Sequence, residues 1–248
     1  MSESFEFPGK YYEIIRRDYR NLEEETQFLA SYLPDDGHVL DLGCGTGTNL
    51  RALRGLGKKY TLLGVDQSQS FIDYANSAGN NNIRYVRGKL DEYETNDQFN
   101  LIYSLFVRLN YLRHDQMRAV LNKVSSWLRP DGIFVVDVSY LLQFVENYQP
   151  YITAHHKDDR ILITRFIRHS LNAHEGNWRH EETMLVREQD GQLSMYENFF
   201  DQTVITAPEL RRMLQEAGLK VVETFRNFRK DPPFRGGQGS LIFVASKA

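Results

Sequence analysis

Val39-Leu40-Asp41-Leu42-Gly43-Cys44-Gly45-Thr46-Gly47 constrains this chain more than any other stretch, because an apolar run typical of a buried parallel strand leads straight into three alternating glycines. Glycine removes the side chain where a ligand has to touch backbone. After the turn, Leu50, Leu53 and Leu56 recur at helical spacing, which places Gly43, Gly45 and Gly47 at the mouth of a helix. Thr61-Leu62-Leu63-Gly64-Val65-Asp66 is a second apolar strand, and Asp66 ends it where a ribose diol would lie across the crevice from the glycine turn. A carboxylate there can accept both hydroxyls. The pair reads as a nucleotide-cofactor site. It departs from the dinucleotide fingerprint, which wants its third glycine where Thr48 stands, and no Gly-Lys-Ser/Thr follows to make a P-loop.

Strands alternate with helices up to about Val138, the pattern of an α/β doubly wound parallel sheet. Further strands are predicted at Ile83 to Gly88, at Phe99 to Ser104, and after Leu128-Arg129-Pro130-Asp131-Gly132. From about Tyr151 to Ile205 the pattern changes to β-rich stretches, Arg160 to Arg168, Trp178 to Arg187 and Leu193 to Val204, with a hairpin signal at Gln189-Asp190-Gly191-Gln192. Within them, Thr183-Met184-Leu185-Val186 shows little clean alternation, so the strand type is fixed but not its faces. These stretches predict an inserted antiparallel β layer over residues 151–205, between a core of 1–150 and its completion in 206–248. Thr206-Ala207-Pro208-Glu209 fits a capping box, Leu210, Met213, Leu214 and Ala217 make the apolar stripe of the helix, and Gly218 stops it. Lys220 to Phe225 and Ser240 to Ser246 then close the core as a hairpin.

Asp41 through Gly47, with Asp66 at the next strand end, resembles the first two motifs of the class I S-adenosylmethionine-dependent methyltransferases. The likeness runs on through the third, fourth and fifth strands and covers roughly the whole chain. It implies a Rossmann-like methyltransferase sheet with a C-terminal antiparallel strand, and S-adenosyl-L-methionine as cofactor. Within that family the layout is similar to small-molecule N-methyltransferases of the aminosugar type. Three features carry this narrower likeness: the N-terminal Tyr11-Tyr12-Glu13-Ile14-Ile15 with Asp18-Tyr19, the segment Leu105-Phe106-Val107-Arg108-Leu109-Asn110-Tyr111-Leu112 after the fourth strand, and the antiparallel insertion. The resemblance implies methyl transfer to a small-molecule acceptor, with an amine nitrogen as the leading nucleophile. A carboxylate or hydroxyl oxygen is the rival, and a noncatalytic cofactor-binding or partner-binding module is the alternative of another class.

Composition fits. The 248 residues carry a formal charge of −3 and are 41% hydrophobic, which suits a globular protein and speaks against a nucleic-acid partner, for which a broad basic surface is needed. No run approaches a membrane span and the first residues lack a leader pattern, so a cytoplasmic protein is expected. A homodimer is compatible with the sequence. Cys44, the single cysteine, is read as a small packing residue rather than a nucleophile.

For the cofactor the resemblance points to the backbone at Gly43, Gly45 and Gly47, to Asp41 near the methionine portion, Asp66 on the ribose and Gln67 on adenine or ribose. Leu105 and Tyr19 join this set. Family members often place Asp after the glycine ending the third strand; here Lys89 stands there, leaving Leu90 to offer its amide or Asp91 a polar contact. For the acceptor the candidates are Tyr11, Phe106, Arg108 and Asn110. Tyr11 and Tyr19 either form a lid or pack an amphipathic helix on the sheet. Arg108, pointing inward, would signal an acidic acceptor; pointing outward, it is a solvated charge, the reading the sequence slightly favours. His180 and His174, with Glu182 or Tyr196 as partners, are the candidate general bases, joined by Tyr111 as a catalytic residue and rivalled by His114. No metal is expected, because the histidines of the insertion lack a ligand spacing. The basic and aromatic segment from Arg226 to Gly237 reads either as a solvated hairpin loop or as an anion-binding edge.

Overall fold

The computed structural model describes residues 8–79, 82–141, 148–172, 174–232 and 241–248. Two helices lead, α1 (Gly9–Arg17) and α2 (Leu22–Ala30). An alternating run follows: β1 (His38–Leu42), α3 (Thr48–Gly55), β2 (Thr61–Asp66), α4 (Gln69–Ser77), β3 (Ile83–Arg87), β4 (Phe99–Ser104), a 3-10 turn (Arg108–Tyr111), α5 (His114–Trp127) and β5 (Leu128–Val138). Four long strands come next, β6 (Tyr151–Lys157), β7 (Ile161–Asn172), β8 (Asn177–Glu188) and β9 (Leu193–Thr203). The chain ends with α6 (Ala207–Glu216), β10 (Leu219–Phe225) and β11 (Leu241–Lys247).

The core sheet has the order β10-β11-β5-β4-β1-β2-β3. β1 pairs in parallel with β2 on one side and with β4 on the other, so the strand order reverses at β1. A crevice opens outside the carboxyl ends of the strands at such a switch point, and the glycine turn lies there. β1 and β4 read as continuous apolar runs because both faces are covered: Val39, Leu40, Leu42, Leu101 and Ile102 are all fully buried. β11 runs antiparallel to both β5 and β10, the hairpin expected from the sequence, although Ser240 falls outside the described residues.

The inserted sheet has the order β6-β7-β8-β9, antiparallel throughout. β6 was not anticipated: its burial alternates only between exposed and half-buried, so Ile152, Ala154 and His156 give a weak apolar signal. β8 alternates cleanly from Asn177 to Val186. Its periodicity is hidden in the sequence because the buried face includes His180 and Glu182 while Leu185 stands on the other. Glu182 is tolerated there because Arg165 and His180 bond to it; burial works against its charge, yet those partners hold its carboxyl down at about 2. Tyr11 and Ile15 of α1 pack into Ile161, Ile163, Met184 and Val186 of this sheet, so α1 rides on the insertion. No helix among the described residues is long and apolar enough to cross a membrane.

Asn110 joins the two sheets. Its side-chain amide donates to Ser139 O at 2.8 Å and Thr203 O at 2.9 Å, and its oxygen accepts the Ser139 N–H at 3.2 Å. Fully buried, with both amide hydrogens committed in this way, it has no donor left for the acceptor it was expected to bind. Asn110→Ala should therefore destabilise the fold by about 2–4 kcal/mol, since it strands buried backbone groups. A lowered urea midpoint with unchanged cofactor affinity per folded molecule is expected; an unchanged midpoint would refute the role.

Candidate active site

The glycine turn is held from two sides. The Gly43 and Cys44 amides donate to Val65 O at 2.8 and 3.0 Å, and the Gly45 N–H donates to Asp66 Oδ2 at 2.8 Å. The other Asp66 oxygen accepts the Ser68 N–H at 2.9 Å, which sets the start of α4. Gly43, Gly45 and Gly47 have φ of 86°, 55° and 78°, a region that L side chains avoid. A Cβ at Gly43 would meet Arg108 Cγ at 2.7 Å, and one at Gly47 would collide with the Tyr85 ring. Gly47 is thus required for packing against β3, and it is not among the residues walling the cavities described below. Cys44 is buried against Gly64; burial, with Asp41 and Asp66 nearby, pushes its thiol far up, so it packs and does not react.

The N-terminal segment closes over this turn. Glu13 accepts from Thr46 Oγ1 at 2.5 Å and Thr48 Oγ1 at 2.7 Å and pairs with Arg51 at 3.5 Å. Its charge sits at the N-terminus of α3, where the helix dipole favours an anion. Arg20 pairs with buried Glu25, and Asn49 of α3 bonds to both. The Tyr12 hydroxyl accepts from Arg16 Nε at 3.0 Å and Arg108 Nη2 at 3.1 Å. Burial raises the phenol's pKa, but the two guanidinium charges overcome it and the net direction is down.

Two small cavities lie along the turn. One, of about 20 Å³, is walled by Asp41, Gly43, Gly45, Leu105, Phe106 and Arg108 together with Tyr12, Arg16 and Arg20. The other, of about 60 Å³, is walled by Gly43, Asp66, Gln67, Lys89, Leu90 and Tyr111, again with Arg108. Beyond them an open cleft of about 1600 Å³ runs between α4, the β3 end and the inserted sheet, with Gly9, Tyr74, Tyr111, Glu175, Tyr196 and Asp201 among its walls. Tyr111 faces both the second cavity and the cleft.

Phe106 and Val107 bring Arg108 into place at a strained turn, with φ of 61° and 55°. For β-branched Val107 this is an outlying conformation. Asp137 holds it by accepting the Val107 N–H at 2.9 Å, and burial pushes the Asp137 carboxyl up to about 7. Arg108 therefore points inward, contrary to the reading the sequence slightly favoured, because Gly43 leaves room for its stem and Tyr12 receives its guanidinium.

Other expected site residues stand elsewhere. Tyr19 is 61% exposed and walls neither cavity; Tyr11 is buried between α1 and the insertion, where its hydroxyl bonds to Glu188, so the packing role holds rather than the lid. His174 is exposed on the β7–β8 turn. His180 is buried in the insertion, bonded to His169 at 2.9 Å and Glu182 at 3.3 Å and stacked on Phe200. Neither histidine walls a cavity or the cleft. His114 starts α5, also outside them. No group of three or more His, Cys, Asp or Glu among the described residues could hold a metal. Tyr12 and Glu13 stand in the N-terminal segment that carries the resemblance but were given no site role, and Arg16 was not named; Tyr12 and Arg16, one helical turn apart, carried the signal.

The residue types along the turn suit the expected cofactor: a glycine turn with φ values open only to glycine, Asp66 ending β2 beside it, and Asp41 walling the smaller cavity. The sequence pattern of a methyltransferase domain matches residues 39–132. A carboxy-S-adenosyl-L-methionine synthase of Campylobacter lari is 28% identical over 53% of this chain and 60% of its own length. A dTDP-3-amino-3,6-dideoxy-alpha-D-glucopyranose N,N-dimethyltransferase of Streptomyces fradiae is 24% identical over 83% of this chain and 79% of its own. An amino pentose methyltransferase of Micromonospora echinaspora, solved with SAM bound, shares the fold with a TM-score of 0.75 at 20% identity, covering 100% of both chains.

Burial, reinforced by Asp66 and opposed by the Tyr103 hydroxyl, pushes the Asp41 carboxyl up to about 7. Below that pH it is protonated in the free protein, and a cationic amino group placed beside it favours the carboxylate. Binding of S-adenosylhomocysteine should therefore release protons near pH 6, with affinity rising up to about pH 7 and flat above. Calorimetry in buffers of different ionisation enthalpy reads this. Asp41→Asn should abolish the slope, and Asp66→Ala, which also frees the Gly45 amide, should weaken binding by about 10–100-fold at every pH. A pH-independent affinity in the native protein would remove Asp41 from the site.

Proposed function

We propose, from the premise that this chain is a class I S-adenosylmethionine-dependent methyltransferase, that it places the methyl on the amine nitrogen of a small molecule. The observation that supports this is that the wall of the Asp66 cavity and the wall of the open cleft share Tyr111, together with Gln67, Lys89 and Asp91, so the cleft opens beside the expected donor site. Similarity to the Streptomyces aminosugar dimethyltransferase supports nitrogen as the nucleophile.

When bound, S-adenosylmethionine supplies an activated methyl: the amine lone pair forms the N–C bond as the C–S pair returns to sulfur, and the amine proton leaves. The chain's own residues align and shield. Asp66 and the Gly43–Gly45 backbone orient the donor side, and Tyr12, Phe106 and Tyr111 exclude water from the junction. Burial, opposed by Arg108, leaves the Tyr111 phenol up at about 12, so it stays protonated at neutral pH and serves as a positioning donor, not a base. With His180 and His174 outside the cleft, the amine proton passes to water through the open side.

Incubation with methyl-labelled S-adenosylmethionine and a panel of amines, aminosugars included, should give a product whose label survives mild alkali. A base-labile product would replace the amine with a carboxylate. Tyr111→Ala should lower kcat/KM by about 10–100-fold while S-adenosylhomocysteine affinity changes less than about threefold.

A further inference from the structure

Arg108 stands at the junction of the two halves of the cofactor groove. It walls the cavity that holds Asp41 and the cavity that holds Asp66. Gly43 and Arg108 are common to both walls; with the methionine end of the cofactor toward one cavity and the ribose toward the other, the sulfur that joins them would lie near Arg108. One guanidinium nitrogen donates to Tyr12, and the group lies 5.7 Å from the Tyr111 ring centroid. Its Nε is shielded from solvent and has no hydrogen-bond partner, and Arg108 forms no ion pair among the described residues.

An orphaned donor in such a place costs free energy unless a ligand takes it. A guanidinium next to a sulfonium also repels it, and the repulsion is relieved when an anion stands between them or beside both. The cofactor's own carboxylate does not require Arg108, because Arg16 walls the Asp41 cavity and forms no ion pair among the described residues. Arg20 is already spent on Glu25.

We infer that Arg108 is an anion subsite for the acceptor, and that the molecule methylated carries a carboxylate close to the amine that receives the methyl. The unpartnered Nε–H and the remaining N–H groups of the guanidinium offer donors that suit a carboxylate. Its positive charge also disfavours the protonated form of an amine nearby, which prepares the lone pair without a histidine base. The amine half of this assignment rests on the N-methyltransferase reading; the anion half rests only on the cofactor lying along the glycine turn.

The test uses acetate as the probe, titrated calorimetrically into the full chain saturated with S-adenosylhomocysteine, with inorganic phosphate as the second arm. Acetate is expected to bind, and Arg108→Met to weaken it at least about tenfold while S-adenosylhomocysteine affinity changes less than about threefold. Arg108→Gln, which keeps a donor and loses the charge, should show the same loss and serves if the Met variant does not fold. Acetate that does not bind, or binds the variants equally, overturns the subsite. S-adenosylhomocysteine affinity falling in parallel gives Arg108 to the cofactor, and phosphate preferred over acetate replaces the carboxylate with a phosphate ester; either result overturns the proposal as stated. A paired turnover assay with glycine and glycinamide separates the two readings. Acetate binding lost in the variants with neither amine methylated keeps the anion subsite and counts against the amine.

Discussion

The Asp66 carboxylate is the interaction on which the site depends. It ends β2, is 4% exposed, and uses one oxygen on the Gly45 amide and the other on the Ser68 amide. One side chain thereby fixes the glycine turn after β1 and the start of α4 in the same frame. A carboxylate has about four lone-pair positions, so two backbone bonds leave acceptors for a diol.

Charge around that frame is unbalanced in the free protein. Arg16, Arg20 and Arg108 wall one cavity; Arg20 is paired with buried Glu25, while two further buried carboxyls, Asp41 and Asp137, are both pushed up to about 7 by burial. A carboxyl whose folded-state pKa is raised binds more protons folded than unfolded between its ordinary value and the raised one. Each of these groups thus costs the free fold stability as pH rises from about 4 to about 7. The strained Phe106–Val107 turn adds to the cost. Such a site is arranged for what it binds rather than for the stability of the chain alone.

What could be read in advance follows the range of the interaction. The glycine turn, Asp66 and the capping box of α6 were legible because each is a local demand of the backbone, met within a few residues. His180 was misplaced because its partner is His169, set opposite it by the β7–β8 register, which no local pattern reveals. Tyr11 and Tyr12 differ by about 100° around α1, enough to send one into the insertion and the other over the glycine turn; the pair of tyrosines was visible and the choice between them was not. Arg108 needed two distant facts, the space left by Gly43 and the oxygen of Tyr12. β6 depended on pairing with β7 more than on its own composition.

α1 couples the two halves of the site. Its Glu13 bonds to Thr46 and Thr48 at the glycine turn, and its Tyr11 and Ile15 are embedded in the inserted sheet, while Gly9 and Lys10 wall the open cleft. The cavities along the turn, about 20 and 60 Å³, are far below the size of pockets that enclose a nucleoside-sized ligand, roughly 300 Å³ or more. Because Tyr11 and Ile15 of α1 belong to the insertion and its Glu13 to the turn, the cleft wall and the glycine turn are held in one frame by a nine-residue helix.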